Sequence, residues 1–299
     1  MTETTQTPES SAGLNAGPLP DIIVIGSMKC ATSSICNFLE RHPDVFFLPG
    51  AEPEFFSKDE RWSGGVDAYR ALFRDAPEGA RVGEGSNSYS MVDQYPDAPA
   101  RIKDVIPHAR LIYSVRHPVE RMVSVWGQLR FQSPDLISYD INRAVRENPA
   151  MLAYPSYFNR LLDAYEAQFA ADQIWVGYME DLKEDAASFY GALCDHCGVA
   201  MNEVALQSDA WKNKTEGRQI ASEKYSALRA VPGVRALAKI APTGLKEAVK
   251  SKLRRPTPST KELLEKLDLP DDIRRDLKQD ARAFLARTGK PADFWKFAF

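Results

Sequence analysis

Between Asp21 and Leu39 the chain reads DIIVIGSMKCATSSICNFL, and its polar residues are of the types that bind an anion. Lys29 brings a full positive charge, and Thr32, Ser33 and Ser34 bring hydroxyl donors, all within a short stretch after Gly26. The apolar run 22–25 reads as a strand, and Thr32-Ser33-Ser34 opens an apolar-periodic segment that reads as a helix. The first N–H groups of a helix have no internal acceptor and lie at the positive end of its dipole, so a strand, a tight loop and a helix N-terminus make a phosphate-sized site. The three hydroxyls are also candidate caps for that helix. Spacing narrows the chemistry. A nucleoside-triphosphate loop reads G-x-x-x-x-G-K-[ST], with the lysine directly before a hydroxyl that binds magnesium. Here Lys29 lies three residues after Gly26 and three before Thr32, and the second glycine is missing.

A second basic position follows another strand-like run. Residues 109–115 (ARLIYSV) lead into Arg116-His117-Pro118 and then a helically spaced segment to Phe131, with Pro118 suited to the first turn. Arg116 stands at the strand's carboxyl end, where open α/β sheets collect ligands, and Ser124 lies about two turns into the helix. A guanidinium fork and a hydroxyl there would hold a phosphate dianion without metal. The plain alternative is an arginine salt-bridged at the sheet edge.

Together these segments resemble the sulfotransferases that use 3′-phosphoadenosine-5′-phosphosulfate (PAPS). The loop 26–33 is similar to their 5′-phosphosulfate motif G-x-x-K-x-G-T-[TS], with Ala31 in place of glycine. Arg116, Pro118, Arg121 and Ser124 match the 3′-phosphate motif R-x-P-x-x-R-x-x-S in full. Further likenesses run in family order along residues 20–297. His42-Pro43 leads into Glu52-Pro53-Glu54-Phe55-Phe56, similar to a K-E-P-x-F-F box with Ala51 at the lysine position. RVGEGSNSY (81–89) resembles G-E-x-[ST]-P-x-Y, with Gly85 where some heparan-type members carry lysine and Asn87 at the proline. Residues 173–182 resemble an E-D-L strand end, 213–218 the N-x-T-[KR]-G-[FY] turn over the 3′-phosphate, and 268–295 the closing helix and tryptophan.

The resemblance implies roles. Lys29 would meet the 5′-phosphate and bridging oxygen, and backbone amides of Ala31, Thr32, Ser33 and Ser34 would hold the rest of that phosphate, with Cys30 inside the loop. Arg116 and Ser124 would take the 3′-phosphate, helped by Lys214, Gly217 and Arg218. Glu52 is the expected base, beside Phe55 and Phe56, whose apolar surroundings can raise a carboxyl pKa. Glu54 and Glu84 are its rivals. PAPS is the expected donor, adenosine 3′,5′-bisphosphate the product, and no metal is required. The acceptor would be a small-molecule, carbohydrate or lipid hydroxyl or amine. Two other readings stay open: a catalytically silent bisphosphate-binding module, and a P-loop nucleotide kinase.

These residues need a frame. Strands are expected at 22–26, 81–85, 109–115 and 173–178, alternating with helices near 32–41, 99–105, 118–131, 154–170 and 185–198. That is an α/β fold in three layers, a central parallel sheet with helices on both faces. The resemblance makes it P-loop NTPase-like, with a C-terminal helical cap. Residues 1–20 read as a disordered tail and 21–299 as a single domain. Within it, 224–255 holds nine Lys/Arg against Glu247, and 219–260 reads as a basic helical cap segment. A solvated face is the plain reading of that segment; capture of an anionic acceptor and peripheral contact with an anionic membrane are the sharper ones.

Composition excludes more than it selects. With 44% apolar and 26% charged residues the chain is ordinary globular material, and a net charge of −3 gives no global field for nucleic acid. No apolar run approaches a bilayer span, and the polar start lacks the features of a signal peptide, so the expected location is cytoplasmic. The four cysteines do not make a disulfide scaffold. Cys194 and Cys197 fall in a helical pattern and read as core thiols rather than zinc ligands, and Cys30 reads as a packing residue rather than a reactive thiol.

Overall fold

The computed structural model describes residues 17–50, 52–206, 219–222 and 252–297, with isolated positions between 224 and 244. Its centre is a five-stranded sheet in the order β2-β3-β1-β4-β5, parallel throughout. The strands are β1 (Ile22–Gly26), β2 (Val45–Phe47), β3 (Arg81–Gly85), β4 (Arg110–Val115) and β5 (Ile174–Tyr178). Strands buried on both faces read as continuous apolar runs, as IIVI does in β1. Successive β1 side chains feed different cores. Ile22 and Val24 pack with Ile35, Phe38 and Leu39 of α1 (Thr32–Arg41) and Phe189 and Leu193 of α6 (Ala186–Cys197). Ile23 and Ile25 pack with Ile102 of α2 (Ala98–Val105), Leu161 of α4 (Phe158–Glu166) and Phe284 of α8 (Asp271–Arg287). Helices therefore cover both faces, as the alternation of elements implied.

A third core holds the C-terminal region. Val119, Met122, Val123 and Trp126 of α3 (Pro118–Gln132) meet Leu263 of α7 (Thr260–Lys266) and Ile273 and Leu277 of α8. The 17-residue helix α8 thus bridges two cores, with Ala281, Phe284 and Leu285 a turn or more further on in the first. Its Asp280 carboxylate accepts from the N–H groups of Asn159 and Arg160 at 3.1 and 3.0 Å, capping α4 from another element. Burial pushes the Asp280 carboxyl up to about 6, against the backbone hydrogen bonds that lower it.

Two expectations need correction. The helix expected over 154–170 is a short 3-10 turn at Tyr154–Ser156 followed by α4, because Pro155 sits in the turn and Tyr157 (φ −83°, ψ 80°) leaves helical geometry. The segment 219–260 is not helical throughout: Gln219–Ala221 and Arg254–Pro256 pair as an antiparallel ribbon (β6 and β7), and Ile220 is buried against α3. Pro256 and Pro258 favour extended backbone there. Most of 224–251, and so most of the basic block, lies outside the described residues, as do residues 1–16 of the expected tail. No helix among the described residues is long and apolar enough to cross a membrane.

Candidate functional site

The loop between β1 and α1 is built on β4. Ser114 accepts from the Ser27 N–H at 2.8 Å through its carbonyl, and its hydroxyl donates to the Cys30 carbonyl. Ser114 is fully buried, so these bonds replace water that cannot reach the loop. Gly26 is required at the turn: its φ is +130°, and a Cβ there would fall on the Ser90 hydroxyl. Lys29 and Ala31 also take left-handed backbone, at φ 72° and 68°. Ala31 occupies the N-cap of α1 in a conformation that glycine adopts without strain.

No side chain caps α1, so the three hydroxyls do not act as expected. The Thr32 hydroxyl donates instead to Asn87 Oδ1 at 3.3 Å. The amides of the loop also divide differently. Ser34 N–H donates to the Ala31 carbonyl at 2.9 Å and Cys30 N–H to the Ser27 carbonyl at 3.1 Å, which commits both within the chain. Thr32 and Ser33 form the first turn, where a helix offers their N–H groups no carbonyl of its own. Of the four amides expected to meet an anion here, that of Ser34 is therefore already engaged, leaving those that precede it beside Lys29. The Cys30 side chain is buried, and burial pushes its thiol up to about 12 against the charges of Arg121 and Arg116. It is a packing residue; its thiolate is not accessible near neutrality.

Arg116 reaches the same loop from the end of β4. Its Nη1 donates to the Lys29 carbonyl at 3.4 Å, and its Nη2 pairs with Glu120. Burial would raise the Glu120 carboxyl, but the ion pair and hydrogen bond from Arg116 hold it below its ordinary range. Arg116 Nε is buried without a hydrogen-bond partner. Ser124 sits half-buried in α3. Arg121 is not a ligand but a strut: 1% exposed, it donates to the Leu152 carbonyl and Ser156 hydroxyl at 3.2 and 3.0 Å. The turn bearing Arg116 is fastened by the Glu180 carboxylate, which accepts from His117 N–H at 2.8 Å. The His117 ring contacts the Lys296 carbonyl and lies 5.1 Å from the Phe297 ring. Lys214, Gly217 and Arg218 lie outside the described residues.

The three candidate bases separate clearly. Glu52 is exposed, and both its oxygens accept from Asn87, at 3.0 Å from the backbone N–H and 2.7 Å from Nδ2. Phe55 and Phe56 do not enclose it, contrary to expectation. They are buried against Trp62, Tyr69 and Tyr89. Glu84 is fully buried and accepts from Tyr69, Tyr89 and Ser86 hydroxyls at 3.2, 2.8 and 2.9 Å. Burial pushes it up to about 7, against those three hydrogen bonds. Ser86 in turn accepts from Glu54 N–H, where the backbone is left-handed at φ 52°. Glu84 thus supports the loop that carries Glu54, while Glu52 alone of the three lines an open cleft of about 210 Å³. That cleft is shared by Thr32, Ser33 and Asn87.

An uncapped helix end, an arginine meeting the lysine loop and a carboxylate on the adjoining cleft follow the order of the sequence motifs, and comparison with known proteins adds to this. A family model described as Sulfotransferase family matches residues 80–203. The heparan sulfate glucosamine 3-O-sulfotransferase 3A1 of Mus musculus is 38% identical over 206 residues, covering 67% of this chain and 50% of that protein. The 3B1 enzyme of the same organism is 36% identical over 213 residues, 69% of this chain and 52% of that protein. Residues 80–203 match the sulfotransferase family, and more of the chain is similar to its members. The chain spans about half the length of the curated sulfotransferases it matches. A sulfotransferase of Alicyclobacillus acidocaldarius aligns over 94% of this chain and 100% of its own with a TM-score of 0.60 at 20% identity, showing the same fold.

Two residues of this candidate site escaped the sequence reading. Ser114 is one more small residue in a buried strand, and its contacts lie 84 to 87 positions away. Asn87 stood out only as a departure from the family proline. A proline could not donate the backbone N–H that Glu52 accepts here, which is the signal that was available.

Proposed function

We propose that this sulfotransferase moves a sulfuryl group from PAPS to a hydroxyl of a sugar or small-molecule acceptor. The observation that carries the reading is the meeting of Arg116 with the Lys29 loop beside the uncapped end of α1, with Glu52 on the adjoining cleft. PAPS supplies an activated sulfuryl group with two phosphates to recognise. Lys29 and the amides of Thr32 and Ser33 bind and neutralise the 5′-phosphate as charge develops on it. Arg116, with an Nε free of protein partners, and Ser124 face the 3′-phosphate. Asn87 orients Glu52 to take the acceptor's proton, and positioning does the remainder.

Isothermal titration of adenosine 3′,5′-bisphosphate in EDTA tests the donor site. Wild type is expected to bind, and Lys29→Ala and Arg116→Ala to bind at least about tenfold more weakly, as loss of a charge-assisted contact implies. Equal binding by all three, or preference for ATP with magnesium, would sink the proposal. Transfer from labelled PAPS then separates an enzyme from a silent binder.

A further inference from the structure

The cleft beside Glu52 has a charge of its own. One wall is the face of α1 that carries Ser33, Asn37 and Glu40, spaced so that a helix aligns them. The opposite side brings Glu52 and Asn87. Among the described residues lining it there are two carboxylates and neither lysine nor arginine. The absence of a cation from the β3 side has a steric cause: a Cβ at Gly85 would lie 3.0 Å from Cys36 Sγ and 3.2 Å from Val24 Cβ, so α1 packs where a side chain would begin. The negative field is felt by Cys36, whose thiol is pushed up by burial and then by Glu52, Glu84 and Glu40 in that order. At about 210 Å³ the space is smaller than the roughly 300–1,000 Å³ of drug-sized sites.

We infer that the acceptor is a hydroxylated molecule of about monosaccharide size bearing no acidic group, that an ammonium-bearing one is bound best, and that Glu40 and Asn37 determine this choice. The inference rests on the sulfotransferase reading above. In the step itself, the acceptor oxygen forms its bond to sulfur while the bond from sulfur to the 5′-phosphate oxygen breaks, that oxygen keeping the electron pair. The hydroxyl proton passes to Glu52, and adenosine 3′,5′-bisphosphate leaves. Once Glu52 is protonated, Glu40 remains as the fixed negative charge of the cleft. It attracts an ammonium, tolerates a neutral polyol, and repels a carboxylate or sulfate. Asn37 offers both a donor and an acceptor to ring hydroxyls.

Three sugars with the same ring separate the cases: glucosamine, glucose and glucuronate, each assayed with labelled PAPS. Wild type is expected to favour glucosamine over glucuronate by at least about tenfold in kcat/KM, the scale of one like-charge contact. Glu40→Lys, a change at an exposed position, should move that ratio toward glucuronate by a similar factor. The inference is overturned if glucuronate is the better acceptor of wild type, if Glu40→Lys leaves the ratio unchanged, or if none of the three is sulfated. Titration with adenosine 3′,5′-bisphosphate on the same preparations keeps the two failures apart. Bound bisphosphate with the wrong acceptor preference overturns only the acceptor class, whereas no bound bisphosphate overturns the donor site beneath it.

Discussion

Replacing Glu84 by glutamine tests how the carboxyl end of an interior strand, β3, carries a buried acid. The carboxyl is fully buried, and burial lifts its pKa from 4.5 to about 7 in the folded protein. The folded state therefore holds the proton more tightly than the unfolded chain. Below pH 4.5 both states are protonated, and the neutral carboxyl rests among Tyr69, Tyr89 and Ser86 at little cost. As the pH rises from 4.5 to 7, the unfolded chain ionises first and stability drains from the folded state; above 7 both are ionised and the loss is complete. A difference of this size corresponds to about 3 kcal/mol over the window. Glutamine keeps an acceptor for the two tyrosines and offers Ser86 a donor, but cannot ionise. Urea unfolding of wild type and Glu84→Gln at several pH values between 4.5 and 8 should show the variant gaining on wild type by about 3 kcal/mol as the pH rises. A stability difference that stays flat across that window, or one that moves the other way, would refute the argument from burial.

Other changes probe the loop and the base. Ala31→Gly relieves left-handed backbone at the N-cap of α1 and should raise stability by roughly 0.5–1 kcal/mol, after the greater freedom of glycine in the unfolded chain is counted; thermal melting reads the sign. Ser114→Ala leaves the buried Cys30 carbonyl without its donor and should cost about 1–3 kcal/mol in urea unfolding, with weaker bisphosphate binding. Asn87→Ala removes the side-chain bonds to Glu52 and Thr32 but keeps the backbone N–H. Turnover should fall on the order of tenfold while bisphosphate affinity changes little, since the donor contacts are elsewhere.

Much of this was readable from local pattern. Four strands and the helices beginning at Thr32 and Pro118 follow from apolar runs and from Pro118 at a first turn, because hydrophobic period and helix starts are properties of adjacent residues. The three-residue β2 was passed over, since Val45-Phe46-Phe47 is too short to show a period. The lysine and arginine of the candidate site could be named because they stand at strand ends within recognisable spacing. What could not be named were relations between distant segments. Nothing around Glu84 reveals that two tyrosine hydroxyls will converge on it, and nothing around Glu52 reveals that Phe55 and Phe56 will turn away into a core with Trp62. Ser34 was assigned to the phosphate because position within a first turn does not tell which amides the chain itself will claim.

The contact between His117 and Lys296 joins positions 179 residues apart, and the Phe297 ring lies tilted beside it. The turn that presents Arg116 is thus held from behind by residues that leave the ribosome long after the strand before it. A nascent chain can pair β1 with β4, close the lysine loop and seat Arg116 on Glu120 well before it can brace the His117 ring. The contacts around this turn are therefore ordered in time by sequence separation: those with Lys29, Glu120 and Glu180 first, those with Lys296 and Phe297 last. A chain whose synthesis stopped short of Trp295 would hold Arg116 through Glu120, the Lys29 carbonyl and Glu180 alone, its turn lacking the brace that the last residues press against the His117 ring.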